Sequence, residues 1–127
     1  MAKVLLVEND PLQAFLRKSI LERQFHDVER VGDAAEALCL VEQPHYAGKL
    51  GLVISGRHRP GIGGPAFVTE LHERLPGLPV LVLDSGGESP DDYDSNEDVR
   101  FLSRPFEMDE MLAAANQLLT QNLRRAG

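Results

Sequence analysis

The sequence predicts an α/β fold, a doubly wound sheet of parallel strands with helices on both faces. Three observations carry that expectation. Short unbroken apolar runs recur along the chain, namely Val4-Leu5-Leu6-Val7, Leu52-Val53-Ile54 and Val80-Leu81-Val82-Leu83. Runs of this kind suit strands buried on both faces. Segments of helical period separate them, and the two kinds of segment alternate, as parallel strands with crossover helices require.

The elements follow in order. After the first strand, Asp10 suits an N-cap and Pro11 the first helical position. Leu12, Phe15, Leu16 and Ile20 then supply an apolar stripe, expected to face the core. His26 to Val31 alternates apolar and polar residues and reads as an edge strand. Asp33 caps a second helix with Glu36 three residues on, as in a capping box, and Ala34, Ala37, Leu38 and Val41 form its stripe. Cys39 lies beside that stripe, with packing or an inert role expected. A third helix enters through Gly64-Pro65 and buries Val68, Leu71 and Leu75. Val99 to Leu102 reads as the fifth strand. Met108, Met111, Leu112, Ala115, Leu118 and Leu119 line a long last helix, the methionines as core. Between strands four and five, Gly86 to Asp98 holds one large apolar residue, Tyr93, among six acidic ones. With no stripe to bury, this stretch predicts a loop or a turn or two, so the fourth helix is short or missing.

Composition narrows the function. The chain has 127 residues, enough for one domain, taken as residues 1–127. Its formal charge of −7 repels phosphate backbones, so no direct nucleic-acid partner is expected. A single cysteine excludes an internal disulfide and fits a reducing compartment. No apolar run has transmembrane length, so a cytoplasmic protein without membrane association is the expectation.

In sheets of this class, ligands sit beyond the carboxyl ends of the strands. The residues there are Glu8, Asn9 and Asp10 after strand one and Ser55, Gly56, Arg57 and His58 after strand three. Asp84, Ser85 and Gly86-Gly87 follow strand four, and Ser103, Arg104 and Pro105 follow strand five. No G-x-G-x-x-G follows strand one and no Walker A sequence occurs, which argues against dinucleotide and nucleoside triphosphate binding. Arg57, His58 and Arg59 form a small basic patch on an acidic chain.

These segments resemble the receiver domain of two-component response regulators, from about Lys3 to about Leu123. Val4 to Leu12 is similar to the family's opening strand and acidic cluster. Arg59-Pro60-Gly61-Ile62-Gly63-Gly64 is similar to its M-P-G-M-D-G loop, Pro79 to Leu83 to its fourth strand, and Phe101-Leu102-Ser103-Arg104-Pro105-Phe106 to its Y-L-x-K-P-F. The resemblance implies a flavodoxin-like sheet of order 2-1-3-4-5 and a cis bond before Pro105.

It also exposes departures. The family's phosphoacceptor aspartate lies four residues before the loop proline, which is Gly56 here. Ser55 beside it should point to the opposite face. The acidic pair that helps hold magnesium is reduced to Glu8 and Asn9. Asp84 stands for the family's Thr or Ser, Arg104 for its lysine and Phe101 for its switch aromatic. The resemblance therefore implies a degenerate receiver pocket made of Glu8, Asn9, Gly56, Asp84, Arg104 and Pro105. It has no phosphoacceptor and no catalytic residue, with magnesium binding weak or absent and Glu8 and Asp10 vestigial metal ligands at most. Glu8 reads as a former ligand, a partner of Arg104 or a helix cap. Asp84 and Arg104 are expected to close the emptied pocket as an ion pair, because a guanidinium fits a carboxylate bidentately.

The leading reading is a signalling module of a phosphorelay, not an enzyme, that acts through protein–protein interaction independently of phosphorylation. Its partners would be a histidine kinase, a phosphotransfer protein or another signalling protein, with a homodimer left open. The alternatives are a receiver phosphorylated at a non-standard residue and a small metal-dependent hydrolase using Glu8, Asp10 and Asp84.

Overall fold

The computed structural model describes residues 2–57, 61–93 and 98–126, the side chains of 122–126 excepted. Five parallel strands, β1 (Lys3–Val7), β2 (Val28–Val31), β3 (Leu50–Ser55), β4 (Val80–Leu83) and β5 (Val99–Leu102), form one sheet of order β2-β1-β3-β4-β5. The helices are α1 (Pro11–Leu21), α2 (Ala34–Val41), the single-turn α3 (Pro44–Ala47), α4 (Gly64–Arg74) and α5 (Met108–Ala126).

Why β1, β3 and β4 sit in the middle follows from their composition. Val4 to Val7, Leu52 to Ile54 and Val80 to Leu83 are almost completely buried. Each such side chain contributes roughly 1.5–3 kcal/mol when fully removed from water. Alternation then divides the strands between two cores. Leu5, Val7, Val53, Val80 and Val82 pack with α2 and α4, whereas Val4, Leu6, Leu52, Ile54, Leu81 and Leu83 pack with α5. In register, Leu5 pairs with Val53 and Val53 with Val80.

The expected caps form. Asp10 accepts a hydrogen bond from the Leu12 N–H at 3.1 Å, and Asp33 accepts one from the Glu36 N–H at 2.8 Å. The one-turn helix α3, which has no apolar stripe of its own, was not expected; it delivers Tyr46 to the core. Cys39 is exposed on α2, so of the two roles expected for it packing is not realised.

Helix α1 corrects the sequence expectation. Leu12 and Phe15 are 64% and 68% exposed and Leu16 is 41% exposed, while the buried face is Ala14 and Leu21 with Arg17 between them. Two faces of this helix carry apolar residues, and the periodicity identifies neither as the inner one. Arg17 decides it, because its guanidinium is drawn inward to a carboxylate described below.

The acidic stretch between β4 and β5 contains, among its described residues, one 3-10 turn, Pro90–Asp92. Residues 94–97 lie outside the described residues, as do His58 and Arg59 of the basic patch. The stretch is nonetheless tethered. Tyr93 is buried against Phe101, with ring centroids 5.8 Å apart. Its hydroxyl donates to Glu88 at 3.2 Å, and Glu88 in turn accepts from the Gly64 N–H at the start of α4 at 3.2 Å. A Cβ at Gly64 would collide with the Tyr93 hydroxyl, so glycine is what lets the loop dock there.

Candidate functional site

The carboxyl ends of the strands converge as expected, and backbone pairing runs past the strands to fix them. The Gly56 N–H donates to Val7 O at 2.8 Å, the Asn9 N–H donates to Arg57 O, and the Glu8 N–H donates to Val31 O at 3.0 Å. From β2, the Arg30 guanidinium clamps the Glu8 carbonyl with two bonds of 2.9 and 2.7 Å. The loop after β1 is therefore held from both neighbouring strands.

Glu8 is the centre of the site. It is 1% exposed, and its carboxylate accepts from Arg17 Nη1 at 2.5 Å, from the Asp10 N–H at 2.9 Å and from the Arg57 N–H at 3.3 Å. Its charged partner is thus Arg17 and not Arg104, while its bond to the Asp10 N–H ties it to the N-cap residue of α1. Burial pushes the Arg17 pKa down while Glu8 pushes it up. The Arg17 guanidinium also lies 5.9 Å from the centre of the Phe106 ring.

Gly56 makes this pair possible. A Cβ there would fall on Glu8 Oε1, 2.9 Å from Arg17 Nη1 and 3.3 Å from Val7 O. The volume that a side chain at residue 56 would fill is occupied by the ion pair. Sequence reasoning missed Arg17 altogether. The available signal was a lone cation on the inner face of α1, three residues after Ala14 and four before Leu21, facing the glycine and the lone acid.

Ser55 points away from Gly56, into the α2 and α4 side of the sheet, as alternation requires. It is 1% exposed, and its hydroxyl has no hydrogen-bond partner among the described residues. A buried unsatisfied hydroxyl opposes folding. Ser55→Ala is therefore expected to leave stability unchanged or raise it by up to about 1 kcal/mol in urea unfolding. A loss larger than that would show that the hydroxyl is bonded.

The expected ion pair between Asp84 and Arg104 does not form. Asp84 instead accepts from the Gly86 N–H at 2.9 Å and the Arg104 N–H at 3.2 Å. The Arg104 side chain is exposed and lies over Gly86, with Nη2 2.8 Å from where a Cβ would stand. An exposed guanidinium stays hydrated and needs no counter-ion, so the electrostatic reason for the pair is absent. The two N–H groups, first that of Gly86 and then that of Arg104, hold the Asp84 carboxyl below its usual range. That contribution is complete above the ordinary value of about 3.9 and is lost as pH falls through the lower folded value. Asp84→Ala is expected to cost about 1 kcal/mol at neutral pH. Its deficit against the parent should persist down to about pH 4 and shrink below it; a deficit that does not change with pH contradicts this role.

The Arg104–Pro105 bond is cis. Phe101 is half-buried against Tyr93. Glu8, Asp10 and Asp84 line one cavity but do not converge as ligands, and among the described residues no three His, Cys, Asp or Glu side chains stand together to hold a metal. No helix among the described residues is long and apolar enough to cross a membrane.

Residues 4–116 match the family model of the response regulator receiver domain. The chain belongs to that family. Among curated relatives, this receiver domain is 29% identical over 124 residues to the two-component response regulator PhoP of Pseudomonas aeruginosa, covering 94% of the chain and 52% of the relative. It is 30% identical over 126 residues to the DNA-binding dual master transcriptional regulator RpaA of Synechocystis, covering 94% and 49%. The chain thus spans about half the length of these two relatives. Among solved structures, the signal receiver domain of an HD domain-containing protein from Pseudomonas fluorescens superposes with a TM-score of 0.81 at 24% identity, covering 97% of this chain and 98% of that one. A CheY-like receiver domain protein from Methanospirillum hungatei does so with 0.81 at 19% identity, covering 98% of each. These structural likenesses show the same fold.

Proposed function

We propose that this receiver domain signals without forming an acyl phosphate, by presenting a constitutive surface to another signalling protein. The observation that supports this is the occupied acceptor position, where Gly56 offers no nucleophile and the Glu8–Arg17 pair fills its place. Aspartyl phosphate chemistry needs a carboxylate in line with the donor and a metal to neutralise charge. The residues here do not suit a magnesium ion. Asn9 brings no charge, Gly56 brings no oxygen from a side chain, and Glu8 already accepts three N–H bonds, two from the backbone and one from the Arg17 guanidinium. With no nucleophile and no metal, the domain is not an enzyme in this reading.

A binding role is also supported by α1, where Leu12, Phe15 and Leu16 form an exposed apolar stripe of the kind that marks interaction surfaces. The partner would be a histidine kinase, a phosphotransfer protein or another signalling protein of the cytoplasm; nucleic acid is disfavoured by the charge of −7.

The test is incubation with acetyl phosphate and magnesium, or with a phosphorylated kinase, followed by intact mass. The mass is expected to stay unchanged. A gain of one phosphate that hydroxylamine removes would overturn the reading.

A further inference from the structure

We propose that the groove between α4 and the β5 edge of the sheet docks a basic amphipathic helix of a partner protein. This rests on the reading that the domain acts by binding another protein, and it gives that partner a place and a chemistry.

A doubly wound sheet buries each of its faces under a layer of helices. On the α2 and α4 side that layer stops short of β5, because the connection into β5 supplies one 3-10 turn among its described residues. The space beside α4 is a groove of about 430 Å³. Its apolar part is made by Val68, Tyr93 and Val99. Pro65, Thr69 and His72 line one wall at the spacing of a single helix face, and Ala66 beside them is exposed. The distance at which two helices pack depends on the side chains between them, so the small residues of this wall let a second helix lie close to α4.

The uncharged polar groups of the groove are already partnered. The Thr69 hydroxyl donates to Pro65 O at 3.1 Å, His72 Nε2 lies 2.8 Å from Leu78 O, and the Tyr93 hydroxyl is held by Glu88. They therefore ask nothing of a partner that covers them. The two carboxylates differ. Glu73 and Asp92 are exposed, and among the described residues neither forms an ion pair. Asp92 accepts the Ser89 N–H at 2.8 Å, which fixes its place on the rim. Among the described residues no lysine or arginine lines the groove. The connection from Gly86 to Asp98 carries six acids in all, in a chain of charge −7. An apolar floor under an acidic rim fits a helix with large apolar residues on one face and lysines or arginines along its flanks.

The probe is a stapled peptide helix with leucines along one face and lysines elsewhere, titrated into the labelled protein and followed by amide chemical shifts. Saturable shifts are expected at Ala66, Thr69, Glu73 and Val99. The same helix with glutamates in place of the lysines should not bind. Ala66→Arg puts bulk and a like charge at the exposed wall and should weaken binding by about tenfold or more, because like charges facing each other across an interface are costly. Gln24→Arg adds the same charge beyond the end of α1 and should leave binding unchanged. Circular dichroism of each variant separates loss of the groove from loss of the fold. Absence of saturable shifts, shifts confined to other surfaces, or equal affinity in the folded Ala66→Arg variant would overturn the proposal. So would a dimer of the free protein that Ala66→Arg dissolves, since the groove would then hold a second copy of the chain. The acetyl phosphate test reads the wider proposal separately: an unchanged mass alongside failed peptide binding removes the groove and leaves phosphorylation-independent signalling standing.

Discussion

Gly56→Asp should not turn this protein into a phosphorylatable receiver. It should lower stability by about 3 kcal/mol, combining overpacking with disruption of a buried ion pair. The new Cβ falls on Glu8 Oε1 and crowds Arg17 Nη1. Both contacts are ends of long side chains, which elsewhere could swing aside. Here they cannot do so freely, because Glu8 is 1% exposed and the Arg17 side chain 12% exposed, and each is the other's counter-ion. The introduced carboxylate also lies beside the Glu8 carboxylate and competes with it for Arg17. Gly56→Ala separates the two effects. It keeps the collision without the charge and should cost less than the aspartate. Urea unfolding of both variants, with intact mass after acetyl phosphate treatment, checks the expectation. An aspartate variant as stable as the parent, or one that accepts phosphate, would mean that the ion pair yields easily.

Arg17→Met should be the most damaging change on α1. Methionine preserves much of the buried stem but removes the guanidinium, leaving Glu8 with only the N–H groups of Asp10 and Arg57. Breaking one side of a buried ion pair typically costs 3–5 kcal/mol, and partial exposure of Arg17 places this case near about 3. Arg17→Lys distinguishes lost charge from lost packing, because it keeps a cation at this position, and it should recover part of the loss in thermal unfolding. A lysine variant as destabilised as the methionine variant would assign the loss to packing and geometry alone.

These two residues also show where sequence reasoning ran out. The three central strands could be read because apolar runs such as Val80 to Leu83 suit a sheet buried on both faces, and the edge strand β2 because His26 to Val31 alternates. Asp10 and Asp33 were readable as caps because capping is local. That a glycine, Gly56, stands four residues before the loop proline was readable from spacing alone, since one residue's identity needs no neighbour to interpret. What took its place was not visible. Glu8 and Arg17 are nine positions apart, and their meeting depends on the rotation of α1 over the sheet. That rotation could not be taken from the stripe, because Leu12, Phe15 and Leu16 suggest one inner face and Ala14 and Leu21 another. The same difficulty misled the expectation for Asp84 and Arg104. Both stand at the ends of neighbouring strands as foreseen, but the carboxylate found backbone N–H groups nearer than the guanidinium. Local hydrogen-bond donors at a turn are a competitor that charge complementarity between side chains does not reveal.

Glu8 and Arg17 are proposed to stand as a fixed ion pair where the family's acceptor chemistry would lie. A double-mutant cycle with Glu8→Gln, Arg17→Met and the combined variant, measured by urea unfolding at neutral pH, tests it most directly. The two single changes should each be costly and the combined change much less than their sum, with a coupling of about 2 kcal/mol. Costs that add to within about 0.5 kcal/mol would show that the two residues act independently, and would contradict the account.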